Sequence, residues 1–277
     1  MTADVPQEKM NRQLVWHDEF ESEKLDKTKW TFERLMDTPG NIYCNSEPNA
    51  RLENSMLHLL VHKFGETYSL PESVTTKHTM LFRYGYVEMR AKIPFRHGAW
   101  PSFWLKGDTP YLRKAENRNN WFPEIDVFEN FSNTSTIVAN LHKWGRIDGN
   151  LVHEQAPLGE EYPNRVYRFT DADTVNDEFH IYGMLWTEKS VSFFVDGEAF
   201  STIDISETSK LISDNYPDVL GFHDPMYLII NNEVFTEASS WKPAGSALTA
   251  EDKMPIDYYI DWVRLYQNEN EKYFSKL

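Results

Sequence analysis

The sequence predicts an all-β sandwich or barrel, and three observations lead there. Segments of about five to ten residues rich in β-branched and aromatic side chains recur along the chain. Turn residues such as the Asp-Gly at 196–197 separate them. Sustained helical periodicity is nearly absent, with ISETSKLISDNY (205–216) the best candidate for a short helix.

The segments follow in order. NSMLHLLVHK (54–63) and YGYVEMRAKI (84–93) alternate as half-buried strands do. TIVANLHKW (136–144) carries adjacent Ile and Val, and FHIYGMLWT (179–187) places aromatic residues along its length. SVSFFVDGEAF (190–200) contains its own Asp-Gly turn, the strongest short hairpin signal in the chain. PMYLIINNEV (225–234) and YYIDWVRLYQ (258–267) complete the set. The first dozen residues and the final NENEKYFSKL read as loose or packed-on ends.

One domain spanning 1–277, with a core of about 14–267, accommodates these strands. The composition, 40% hydrophobic with 9 Trp, 14 Tyr and 17 Phe, is ample for a large core. A formal charge of −15 argues against nucleic acid or an anionic membrane as partner, since phosphate binding needs clustered Lys and Arg. The single cysteine, Cys44, excludes an intramolecular disulfide and leaves the redox compartment open. No apolar stretch of 18 residues suggests a membrane span. The start lacks the apolar core of a signal peptide, so either the protein is cytoplasmic or an export signal has been removed. A monomer is expected.

The chemistry concentrates in WFPEIDVFENF (121–131). Glu124 and Asp126 are two apart and share a face of an extended strand, whereas strict alternation sends Glu129 to the opposite face. Burying an unpaired carboxylate costs several kcal/mol, so two acids on one face imply a wet groove rather than core. A β-bulge between Asp126 and Glu129 would add one residue and return Glu129 to the face of the other two. The two glutamates could then approach to roughly 5–5.5 Å, the separation at which one carboxylate attacks a sugar carbon and the other protonates the departing oxygen. Spacing alone favours the plainer readings of a solvated edge strand, arginine partners or a calcium site over catalysis.

This stretch resembles the active-site strand of glycoside hydrolase family 16, whose signature is Glu-x-Asp-x-x-Glu; EIDVFE fits it fully. LVWHDEF (14–20), NARLENSMLHL (49–59), YGYVEMRAKIPFRHGAWPSFWL (84–105), NLHKWG (140–145), FHIYGMLWTEKSVSFFVDGE (179–198) and YYIDWVRLYQ (258–267) resemble further blocks of that family, in family order. The resemblance implies a β-jelly roll of two stacked antiparallel sheets whose concave face is an open polysaccharide cleft. It also implies a retaining endo-glycosidase with Glu124 as nucleophile, Glu129 as general acid/base and Asp126 as the assisting acid. A transglycosylase would use the same acids, and a carbohydrate-binding protein of the same fold would have no need of them.

Around the acids, Trp100 is expected to be a sugar platform, and Trp104 to be either core or cleft. Trp121, just before the acidic strand, is a weaker candidate, and Trp144 shares the face of His142. The resemblance places His142 in the cleft; otherwise a lone histidine is more often structural. Arg83 and Arg51 are either sugar or carboxylate partners or solvated surface, and Asn45 and Glu47 are placed at the cleft rim. No cofactor is required. The resemblance also implies a candidate structural calcium held by Asp261 with backbone oxygens near DEF (18–20) and ENS (53–55), weakened because ENS lacks the family glycine; a surface Asp261, unpaired or linked to Arg264, is the alternative.

For the substrate, MYLIINNEVFTEASSW (226–241) departs from the small residues of glucan-cutting members. Its Glu233 and aromatic loop resemble members that cut agar or porphyran. The insert 106–121 carries Arg113, Lys114 and Arg118, suited either to sulfate or to solvent. A β-galactan or host-type glycan is thereby slightly favoured over a β-1,3(4)-glucan.

Overall fold

The computed structural model describes residues 9, 11–35, 38–107, 122–132, 135–147, 150–156, 165–170, 178–206 and 221–275. Trp121, the insert from 108 onward and all but the first two residues of the helix candidate at 205–216 lie outside them. Within the described residues the regular structure is almost entirely strand. The strands are β1 (Gln13–Asp18), β2 (Thr31–Glu33), β3 (Ile42–Cys44), β4 (Ala50–Glu53), β5 (Met56–Phe64), β6 (Thr67–Pro71) and β7 (Ser73–Thr75). There follow β8 (Met80–Arg83), β9 (Gly85–Lys92), β10 (Ala99–Gly107), β11 (Phe122–Glu129), β12 (Thr136–Ile147), β13 (Asn150–Ala156) and β14 (Val166–Arg168). The last six are β15 (His180–Trp186), β16 (Ser190–Val195), β17 (Glu198–Asp204), β18 (Met226–Val234), β19 (Ile256–Gln267) and β20 (Lys272–Ser275).

They form two sheets. One runs β17-β16-β15-β9-β19-β5-β6-β3, with β1 also on β19 and β4 also on β5. The other runs β13-β12-β11-β10-β18-β7-β2, with β14 on β12 and the β8–β20 pair joined to β18. Every pairing is antiparallel except β3 with β6. The expected two-sheet jelly roll is therefore present. The closing residues are a packed-on end, since β20 pairs with β8 from Lys272↔Arg83 to Ser275↔Met80.

Local chemistry sets the turns. Asp196 and Gly197 have φ of 50° and 86°, the left-handed pair that a two-residue hairpin turn requires between β16 and β17. Asn54 and Ser55, at φ 53° and 56°, do the same between β4 and β5. Ser55 holds there a conformation that glycine would adopt without the roughly 1 kcal/mol that a Cβ costs.

The core lies between the sheets. Val87, Met89 and Ala91 on β9, with Tyr258 and Ile260 on β19, face Phe103 and Leu105 on β10, Ile125, Val127 and Phe128 on β11, and Leu228 and Ile230 on β18. All are at most 2% exposed. Truncating one of the buried phenylalanines to alanine would cost about 3–5 kcal/mol. Because strand side chains alternate, filling the core with these positions commits their neighbours to the other side of the second sheet. That outer side carries the acids.

Candidate active site

The register of β11 shows how the acids come together. Against β12, Glu124 faces His142, Asp126 faces Asn140 and Glu129 faces Val138, so three steps on β11 match two on β12. Against β10, Lys106, Trp104 and Ser102 face Glu124, Asp126 and Glu129. One extra residue is accommodated between Asp126 and Glu129 on both sides, the β-bulge expected from the spacing. Val127 and Phe128 both enter the core there, at 2% and 0% exposure, and Glu129 returns to the face of Glu124 and Asp126. Two successive core residues are what let three acids share one face.

The acids differ in exposure and surroundings. Asp126 is buried at 2%, whereas Glu124 and Glu129 remain partly accessible. His142 Nε2 lies 3.1 Å from Asp126 Oδ2. The Trp100 indole N–H donates to Glu129 Oε1 at 2.9 Å. Burial pushes the Glu124 carboxyl up to about 7, reinforced by Asp126 and opposed by His142, a hydrogen bond from Trp144 and Lys106. Burial raises Asp126 to about 8. Glu129 is raised well above the usual carboxylate range by burial and then by Asp126, with the Trp100 N–H opposing. Asp126 raises both glutamates, and His142 and an indole N–H oppose it at both; Lys106 is the further cation that acts on Glu124 alone.

Trp104 lies on the acidic face: its N–H donates to Asn231 Oδ1 at 2.6 Å, and the same oxygen accepts from Ser102 Oγ at 2.9 Å. Trp100 lies on that face as well, but its ring is not a bare platform. It stacks on Phe235 with centroids 4.9 Å apart and planes at 9°. Phe131 and Trp241 complete the cluster, with Trp241 at 5.8 Å from Trp100 and 5.4 Å from Phe131. Trp241, 55% exposed, is the ring of this group open to a ligand, and it was absent from the residues singled out by sequence. The signal available was its place at the end of the aromatic loop after Glu233.

Glu233 pairs in register with Trp100 and is 2% exposed. Tyr43 donates its hydroxyl to Glu233 Oε2 at 3.3 Å, and burial pushes the carboxyl up to about 8. Trp144 and His142 stand side by side, ring centroids 5.9 Å apart. Arg83 does not join the acids; its guanidinium lies over the Tyr84 ring, 5.6 Å from the centroid. Arg51 belongs to the other sheet and is a carboxylate partner, with Glu53 at 3.1 Å and Glu47 at 4.0 Å. Glu47, expected at the cleft rim, is held in that pair.

Among the described residues, the one set of His, Asp and Glu close enough to hold a cation is Glu124, Asp126 and His142, with one ligating atom of each within 4.8 Å of the others. Among the described residues no such set of side chains includes Asp261. Its carboxylate accepts a hydrogen bond from Arg90 Nη1, and Arg264 pairs with Glu19 at 2.7 Å. Arg90 thus already supplies a positive charge to the Asp261 carboxylate. Asp261 is an arginine's partner, and the arginine is Arg90 rather than Arg264.

A two-sheet antiparallel sandwich presenting three bulge-aligned carboxyls among indoles has counterparts in known proteins. The family model described as the GH16 domain of β-porphyranases A–D matches residues 13–268. The chain belongs to glycoside hydrolase family 16. It is 27% identical to the glucan endo-1,3-β-glucosidase A1 of Niallia circulans over 281 residues, covering 92% of this chain and 38% of that protein's length. The chain thus spans well under half of that relative. A solved structure of an endo-acting O-glycanase, from human gut microbiota members that initiate mucin breakdown, superposes with a TM-score of 0.68 at 27% identity, covering 94% of this chain and 92% of that one. The κ-carrageenase of Zobellia galactanivorans shares the fold, with a TM-score of 0.69 at 21% identity over 95% of this chain and 99% of that one.

Proposed function

We propose that the protein is an endo-β-glycosidase that cuts a β-1,3- or β-1,4-linked polysaccharide with retention of anomeric configuration. The bulge in β11 carries this reading, because it puts Glu124 and Glu129 on one accessible face with the buried Asp126 between them. Glu124, the glutamate that faces Lys106 as well as His142, attacks the anomeric carbon as the anion. Glu129 gives its proton to the leaving glycosidic oxygen, and a glycosyl ester forms on Glu124. Glu129 then takes a proton from water, which attacks the same carbon and frees Glu124.

Asp126, whose carboxyl burial raises, lies in the row between the two glutamates and couples their titrations. His142 is a positioning residue for Asp126, at 3.1 Å. The Trp100 N–H holds Glu129 in place, and Trp104, Trp144 and Trp241 offer indole surfaces for sugar rings.

A β-galactan or host-type glycan is favoured as substrate. What supports it is the match to the porphyranase model, the likeness to a mucin-acting O-glycanase, and a carboxyl and an aromatic ring, Glu233 and Phe235, against Trp100. Glucanase relatives such as the one from Niallia circulans support the second reading, an endo-β-1,3(4)-glucanase. Release of reducing ends from laminarin, lichenan, agarose, porphyran, carrageenan and mucin glycans decides between them. Replacing Glu124 by Gln should abolish turnover and leave oligosaccharide binding intact; turnover that survives would reject its assigned role.

A further inference from the structure

Lys106 is a basic side chain on the acidic face that the reaction above does not use as an acid, base or nucleophile. It ends the row Ser102, Trp104, Lys106 on β10 and stands opposite Glu124 on β11 and Tyr227 on β18. Its ammonium lies 4.3 Å from the Phe122 ring centroid and 5.9 Å from that of Trp104, so two rings of this face flank it. Among the described residues it makes neither a hydrogen bond nor an ion pair; the two ring contacts and the longer-range fields of Glu124, Lys77 and Glu33 are what it meets. Its neighbour Lys77 is, by contrast, engaged by Glu33. The floor beside it is apolar, built from Tyr227, Ile229, Leu81 and Trp104.

An ammonium that has lost much of its water and gained only ring faces is under-served, since all three of its N–H groups seek acceptors. Burial accordingly lowers its pKa below the ordinary lysine value. The chain as a whole carries −15, and the same face carries Glu124, Asp126 and Glu129. A glycan bearing negative groups would be repelled from such a surface unless a fixed cation met it. We propose that Lys106, framed by Phe122 and Trp104, is a subsite for an anionic substituent, a sulfate ester or a carboxylate, on the sugar bound beside Glu124. The inference rests on the reading of this face as a glycan cleft and adds to it a charge requirement on the substrate.

The test uses binding, so that it stands apart from turnover. Migration of Glu129→Gln protein is measured in native gels containing porphyran or chemically desulfated porphyran, and in gels containing a glucuronate-bearing glycan or its carboxyl-reduced form. The expected result is stronger retardation by an anionic member than by its neutral counterpart. Adding Lys106→Met weakens that anionic affinity about tenfold and leaves the neutral one unchanged, while Lys106→Arg keeps the preference. Whichever pair shows the effect names the group, sulfate or carboxylate. Equal affinity for both members of each pair, equal loss on both with Lys106→Met, or no retardation by any of the four overturns the inference. Reducing-end release by the unsubstituted protein reports separately on the hydrolase reading, so either can fail while the other stands.

Discussion

Carboxylates on the two outer faces of this sandwich live under opposite rules. On the face of the β19 sheet, Glu19 and Asp261 each meet an arginine, Arg264 and Arg90, and Arg264 holds Glu19 below its usual range. On the face of the β11 sheet, Glu124, Asp126 and Glu129 are set among indoles, an imidazole and one another, and burial holds all three above theirs. The first arrangement neutralises charge locally. In the second, burial outweighs the neighbouring cations and leaves protons in place. An acid meant only for solubility or a modest surface pair belongs to the first kind; an acid that must hold and release a proton near neutrality belongs to the second.

Substitutions that swap the two regimes test the contrast. Glu124→Ala should cost at least about 10³-fold in kcat on any polysaccharide the protein cuts, while Asp261→Ala leaves kcat within about twofold. Parallel reducing-end assays of the pair check this, and a comparable loss in both would erase the distinction. Glu129→Ala should lose about 10²- to 10⁴-fold on polysaccharide, and on an activated aryl glycoside, whose phenolate leaves without a proton, azide should restore part of the rate by attacking the ester with no proton to remove. Failure of azide to yield a glycosyl azide would count against Glu129 as the acid/base.

The pH dependence follows from the same raised values. Glu124 must be ionised to attack, so kcat/KM should fall on the acid side with an apparent pKa near 7. Trp100→Phe removes the donor that lowers the Glu129 pKa, so the alkaline limb should move to higher pH. A limb that stays or moves down would separate Trp100 from Glu129.

Stability should respond with opposite signs on the two faces. The folded Glu124 carboxyl is raised from 4.5 to about 7, so it favours the fold fully below about pH 4.5 and loses that advantage as pH rises through about 7. Glu124→Gln should therefore stabilise by about 2–3 kcal/mol at pH 9 and by little at pH 4. Glu19 is lowered, so its contribution is present above 4.5 and lost as pH falls through its folded value. Glu19→Gln should cost only about 0.5 kcal/mol at neutral pH, because its pair is open to solvent, and nothing in strong acid. Denaturant titrations of each variant at its two pH values read both.

The sequence made the acidic strand legible because a bulge leaves a local mark: three acids in a run of apolar residues with the last one out of step. Hairpin turns were legible at Asp196–Gly197 for the same reason, since the needed φ angles belong to particular residues. Pairings across long separations were not. Trp100 stacks on Phe235, 135 positions away in the chain, and Tyr43 reaches Glu233 across 190. Nothing in either local pattern announces such a partner. Trp104 was undecided between core and cleft because Trp suits both; the β10–β11 register sets it opposite Asp126, and it packs there on Tyr227, Ile229 and Leu81. At Asp261 the sequence suggested Arg264 as the charged partner, and only the neighbouring β9 strand shows that it is Arg90.

The most direct measurement follows the anomeric proton of newly released reducing ends by NMR during the first minutes of hydrolysis, before mutarotation mixes the forms. Glutamates that share one face through a single extra residue, and take nucleophile and proton-donor roles, should deliver the β-anomer first. An α-anomer appearing first would mean that water, not Glu124, strikes the sugar, and the pairing of the two carboxylates as described would be wrong.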